Sequence, residues 1–191
     1  MTKRHVSVRG KTVAFRFRAK HRAEVRTALV DAEIAVAIRE LLALPGGRRL
    51  FRYERDGELR NLTGRRLNEY IQTYMGEEFT AKDFRTWGGT LRAAIGFAER
   101  GVVESAADQK RAVAAVMRTV AERLGNTPAV TRVSYVSPAV VEQYLEGRTL
   151  EDFRPRHLRV VGARDVGLHP EELALLSLLR SWRIRRARAA A

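Results

Sequence analysis

The sequence contains no cysteine and only four histidines. The first absence removes disulfide scaffolds, zinc–thiolate sites, iron–sulfur clusters and thiol nucleophiles together. The second leaves little for a metal cage, and no His-x-x-x-His pair or acidic cluster compensates. No uninterrupted apolar run approaches the ~18–20 residues of a membrane-spanning helix. The first residues carry no apolar segment of the secretory type, so the cytoplasm is the expected location. The phosphate-binding loops Gly-x-x-x-x-Gly-Lys-Ser/Thr and Gly-x-Gly-x-x-Gly are missing, as are Gly-x-Ser-x-Gly and His-Glu-x-x-His. There is no internal repeat and no low-complexity tract.

What is present is positive charge. The 191 residues hold 36 Lys and Arg against 22 Asp and Glu, a formal +14. The length suits one domain, or one with a small appendage, at roughly 100–200 residues per domain. With 45% hydrophobic residues the chain can bury a core. The Arg content has a bland explanation in the composition of a GC-rich genome. The distribution speaks against it. Residues 1–30 hold nine Lys/Arg and one acid, Glu24, and the last twelve residues hold five Arg and no acid. Cations gathered at two ends suit a polyanion, most simply nucleic acid.

Residues 5–29 alternate apolar and polar, through Val6, Val8, Val13, Phe15, Phe17 and Val25. That pattern predicts a three-stranded antiparallel meander with one apolar face. Arg16 and Arg18 fall on the other face, and Lys20 at the tip of the second hairpin. After Asp31 the period becomes helical, with Ile34, Ile38, Leu41 and Leu42 stopped by Pro45-Gly46-Gly47. A polar stretch turns at Asp56-Gly57. Leu67, Tyr70, Ile71 and Tyr74 mark a second helix, ended by Gly76. Thr80-x-x-Asp83 resembles a capping box opening a third helix to about Arg100. Its Gly88-Gly89 pair permits close approach of another backbone. A fourth helix runs from about Ser105 to Leu124, with Gly125 as its stop. Pro128 and Pro138 open two short helices. Residues 147–169 read as loop, and Pro170 opens a last helix trailing into the Arg-rich tail. The fold class is α+β and mainly α. Residues 1–30 form the sheet, 31–169 a helical core, and 170–191 the terminal helix and tail.

With metal and thiol chemistry set aside, cations, a few polar residues and tyrosines remain. A cationic pocket with a nucleophile suits phosphoryl transfer on a phosphodiester, where positioning and charge stabilisation dominate. Two segments then carry a resemblance: Thr80-Ala81-Lys82-Asp83-Phe84-Arg85-Thr86-Trp87-Gly88-Gly89-Thr90, and Leu124-Gly125-Asn126-Thr127-Pro128 continuing to Ser134-Tyr135. Together they resemble the catalytic domain of bacterial, poxvirus-like type IB DNA topoisomerases. Phe15-Arg16-Phe17-Arg18-Ala19-Lys20 is similar to the turn carrying that family's catalytic lysine, with Ala19 where Gly is usual. The likeness also takes in Leu50-Phe51-Arg52-Tyr53 and Leu67-Asn68-Glu69-Tyr70, and runs from about residue 2 to about residue 150.

The resemblance implies an ATP- and metal-independent enzyme without cofactor, acting as a monomer on double-stranded DNA and away from membranes. It implies Tyr135 as nucleophile, Arg85 as clamp on the non-bridging oxygens and Lys20 as general acid. Asn126, where many relatives have His, becomes a hydrogen-bond donor to phosphate. Lys82, Arg16, Arg18, Thr127 and Arg132 become DNA contacts. Each has an ordinary alternative: a turn lysine, a salt-bridged arginine, a capping asparagine, a rim tyrosine. Tyr53, Tyr70, Tyr74 and Tyr144 are expected to pack, and Trp87 to lie in the core. The family's first active-site arginine lies upstream of the segment that Thr2–Val6 resembles. Arg4, Arg16 and Arg18 do not match its motif. The chain is thus expected to be a fragment, a misassigned start or a reduced relative. A tyrosine recombinase and a non-catalytic DNA-binding module are the competing readings.

Overall fold

Period-two alternation builds the first sheet as expected. β1 (Val6–Arg9), β2 (Thr12–Arg18) and β3 (Glu24–Val30) form an antiparallel meander in the order β1-β2-β3. The register sets Val6 opposite Phe15, Val8 opposite Val13, and Phe17 opposite Val25, so these six share one face. Arg16 stands opposite Arg26 on the other face. The structure is a computed structural model that describes residues 1–18, 24–154 and 167–190. Lys20 and the second hairpin turn lie outside the described residues. The chain divides into two compact units, Met1–Ala81 and Lys82–Ala191.

In the first unit, α1 (Ala32–Ala43) covers the apolar face of the sheet. Asp31 caps it, accepting from the Ile34 N–H at 2.9 Å. Val13, Ala35, Ile38 and Leu50 make the core, with Phe15 and Leu29 packed against it. Arg52 is buried and donates to the Pro45 and Leu44 carbonyls at 2.8 and 2.9 Å. The chain leaving α1 thereby finds a partner for carbonyls that the helix end leaves unpaired. The polar stretch after it is a hairpin, β4 (Arg52–Arg55) and β5 (Glu58–Asn61). Its two-residue turn has Asp56 at φ 57° and Gly57 at φ 76°, a pairing of positive angles that suits the strand twist.

Then comes α2 (Gly64–Met75), capped by Thr63. Its periodic stripe does not pack as the sequence pattern suggests. Only Ile71 is buried, while Tyr70 and Tyr74 are 64% and 73% exposed and touch each other with ring centroids 4.8 Å apart. Periodicity marks a face; it does not supply a neighbour to cover it.

The second unit is helical: α3 (Ala81–Arg100), α4 (Ala106–Leu124), α5 (Pro128–Ser134), α6 (Pro138–Leu145) and α7 (Pro170–Ala189). A short 3-10 turn at Leu150–Phe153 precedes the residues outside the description. Phe97 of α3 stacks on Tyr144 of α6 at 4.3 Å, amid Val113, Val116, Met117, Val140 and Leu175. Complete burial of side chains this size stabilises by about 1.5–3 kcal/mol each. Trp87 packs against this core and donates to Glu172 of α7 at 3.0 Å. Beyond Trp182 the residues of α7 are exposed, and two of its arginines reach back to α6, Arg185 to Glu146 at 2.6 Å and Arg186 to Glu142 at 3.5 Å. Among the described residues no helix is long and apolar enough to cross a membrane.

Candidate active site

The segment from Arg123 to Ser137 is a chain of signals that each end or start a helix. Gly125 stops α4 with φ 66°, a left-handed angle that glycine adopts without a Cβ penalty. The Asn126 N–H then reaches back to the Ala121 carbonyl at 3.0 Å, and Gly125 to Glu122, closing a Schellman motif. Asn126 is therefore the residue after the stop: its backbone N–H closes α4, and the cap of α5 falls to the next residue. Thr127 caps α5, its Oγ1 accepting from the Val130 N–H, and Pro128 takes the first helical position. The turn is fixed by local chemistry, and α5 carries the chain to Tyr135, its last cap.

Tyr135 is half-buried. Arg85, in the second turn of α3, places its guanidinium carbon 5.0 Å from the centre of the Tyr135 ring. The same guanidinium donates to the Leu124 carbonyl at 2.8 Å, two residues before Asn126. The Asn126 Nδ2 is buried and has no hydrogen-bond partner among the described residues. So three of the expected residues gather where α3 meets the α4–α5 turn: a guanidinium, an amide donor and a phenol.

The other expected residues divide. Lys82 is exposed on the first turn of α3, three residues before Arg85. Arg132 is exposed on α5, one turn before Tyr135. The Thr127 Oγ1 accepts from the Val130 N–H at the α5 cap. Arg16 and Arg18 lie on the polar face of the sheet, Arg16 paired with Glu24 at 2.7 Å. Lys20 lies outside the described residues. Of the remaining tyrosines, Tyr144 is 1% exposed and donates to the Gly101 carbonyl at 3.1 Å. Burial pushes its phenol above the usual value, so it is held neutral. Among the described residues no three His, Asp or Glu side chains come together to hold a metal.

Two contributions were not singled out from the sequence. Arg26 adds a cation directly across from Arg16, which the period-two alternation of β3 would have predicted. Thr86, next to Arg85, lies with its Oγ1 3.5 Å from the Ser134 carbonyl, and no local motif announces that contact.

A family profile for the catalytic core of eukaryotic DNA topoisomerase I matches residues 1–151. The chain belongs to this family. Over 152 residues it is 30% identical to the DNA topoisomerase 1B of Acanthamoeba polyphaga mimivirus. That stretch is 75% of this chain and 45% of the relative, so the chain spans less than half the length of that protein. Both segments that make up the α3 and α4–α5 geometry fall inside the residues matched by the topoisomerase I profile.

Proposed function

We propose that this chain carries the strand-cleaving chemistry of a type IB DNA topoisomerase of the bacterial, poxvirus-like kind, with Tyr135 as nucleophile. One observation supports this most: the Arg85 guanidinium lies over the Tyr135 ring, beside a turn whose Asn126 amide has no partner among the described residues. A nucleophilic tyrosine needs cations beside it to offset the negative charge that builds up as it attacks a phosphate. Arg85 supplies one, and its planar fork fits the non-bridging oxygens of a phosphodiester. Asn126 adds a neutral donor to one of those oxygens.

In the reaction, Tyr135 Oη gives up its proton to water as it attacks the phosphorus of one DNA strand. The bond to the 5′ oxygen breaks and a 3′-phosphotyrosine forms. Lys20 gives the leaving oxygen its proton, so that it departs as a hydroxyl. Lys82, Thr127 and Arg132 contact the duplex, as do Arg16 and Arg18 of the sheet. Rotation about the intact strand releases supercoils. Attack of the 5′ hydroxyl on the phosphotyrosine reverses the first step and regenerates the phenol. The phosphodiester energy is kept in the protein–DNA bond throughout, so neither ATP nor a metal ion enters the balance. The protein works as a cytoplasmic monomer on double-stranded DNA.

Incubation with supercoiled plasmid, with and without a chelator, tests this reading. The wild type is expected to relax the plasmid in both, and Tyr135→Phe in neither. Salt-sensitive binding without relaxation or adduct would replace it with a DNA-binding module. Strand exchange between defined sites would replace it with a recombinase.

A further inference from the structure

Two adjacent glycines on α3 have opposite surroundings. A Cβ built on Gly88 meets nothing within 4 Å. A Cβ on Gly89 would lie 2.4 Å from the Tyr135 carbonyl oxygen and 3.3 Å from its carbon. That oxygen is backbone, so it cannot rotate away. The next residue, Thr90, is buried, and its hydroxyl accepts from the Ser137 N–H at 3.0 Å. Thr86, one turn earlier, faces the Ser134 carbonyl. Residues 86, 89 and 90 are one stripe of a helix at spacings of three and four. The stripe follows the backbone from Ser134 to Ser137, and Val136 between them is buried. Arg85 stands beside this stripe on the same helix.

We propose that Gly89 and Thr90 are positioning residues for Tyr135. They seat the nucleophile's backbone on the helix that also carries the phosphate clamp, so that the reach from phenol to phosphorus is set within one rigid element. This rests on the reading of Tyr135 as nucleophile. Gly89 sets the closeness of the approach, because any side chain lifts residue 135 off α3. Thr90 sets the register, because its hydroxyl holds the amide two residues on. Gly88 is the internal control: it shares the helix and the glycine, but not the contact.

The full chain is labelled with 13C-tyrosine, and the Tyr135 ring signal is identified by its loss in Tyr135→Phe. Gly89→Ala is expected to shift that signal, whereas Gly88→Ala leaves it in place. With a nicked DNA substrate, Gly89→Ala should form covalent adduct about 100-fold more slowly while binding DNA within about threefold of wild type, the signature of a misplaced reacting group. Gly88→Ala should react at the wild-type rate. If wild type forms no adduct, the nucleophile reading fails, and the ring signal alone decides whether the seat exists. If Gly89→Ala does not fold, Thr90 decides: Thr90→Ser keeps the signal and rate, and Thr90→Val loses both. A Tyr135 ring and rate indifferent to Gly89→Ala, or equal behaviour of Thr90→Val and Thr90→Ser, overturns the proposal.

Discussion

Arg85 and Tyr135 meet through the ring face: the guanidinium carbon is 5.0 Å from the ring centre, and the guanidinium is anchored on the Leu124 carbonyl. An exposed cation–ring contact stabilises by only about 0.5–1 kcal/mol. A bidentate hydrogen bond to a phosphate is stronger and matches the fork better. The contact with the ring is thus weaker than the phosphate clamp proposed for Arg85.

Replacing Arg85 by Lys keeps the charge and loses the fork. Loss of one preorganised donor typically costs about 2.7–4 kcal/mol in the transition state, or roughly a hundred- to thousandfold in rate. Single-turnover adduct formation on a nicked duplex should fall by that factor in Arg85→Lys. Arg85 is exposed, so the melting temperature should stay close to wild type.

Asn126 offers the opposite test of stability against function. Its Nδ2 is buried without a partner among the described residues, and an unmatched buried donor costs folding free energy of about 1–3 kcal/mol. Asn126→Ala should leave the melting temperature unchanged or raise it, while the cleavage rate drops at least about tenfold. A melting curve and a cleavage time course on one preparation decide it.

Tyr144 should behave as structure alone. Tyr144→Phe keeps the stack on Phe97 and removes the bond to Gly101. The loss should be about 0.5–1.5 kcal/mol in urea unfolding, typical of one hydrogen bond, with no change in adduct yield.

Glu172 predicts a pH dependence. The bond from Trp87 and, after it, the His169 backbone N–H hold its carboxyl below the ordinary value near 4.5. A carboxyl depressed in the folded state adds stability that is fully present above its unfolded pKa and disappears as pH falls through the folded one. Acidification below about pH 4.5 should thus weaken the α7 contact with α3. Glu172→Gln keeps an acceptor for Trp87 and removes the proton. Its melting temperature should fall less steeply in that range than wild type, with the Trp fluorescence following the same difference.

The sheet was legible because alternation and side are the same thing in a strand: Val13 and Phe15 point in, Arg16 and Arg18 point out. Asp31, Gly125, Thr127 and Pro128 announce their helix ends by chemistry confined to a few neighbouring residues. The β4–β5 strands escaped because Arg-Tyr-Glu-Arg and Glu-Leu-Arg-Asn have no apolar alternation. Only their Asp-Gly turn shows. Tyr70 and Tyr74 lie on the expected helix face but stay exposed, covered by no neighbour among the described residues. At the site, the resemblance to type IB topoisomerases pointed to Arg85, Asn126 and Tyr135. The Trp87–Glu172 bond, between residues 85 positions apart, leaves no trace in local sequence. The Gly88-Gly89 pair suggested a close approach, and only the fold shows that Gly89 makes it, against Tyr135.

The most direct measurement maps the covalent bond itself. A duplex with a nick just beyond the scissile phosphate traps cleaved product, and protease digestion followed by mass spectrometry locates the attached nucleotide. The account predicts a single modified peptide with the DNA 3′-phosphate on Tyr135 and none in Tyr135→Phe. Attachment to any other residue, or adduct persisting in Tyr135→Phe, would contradict it.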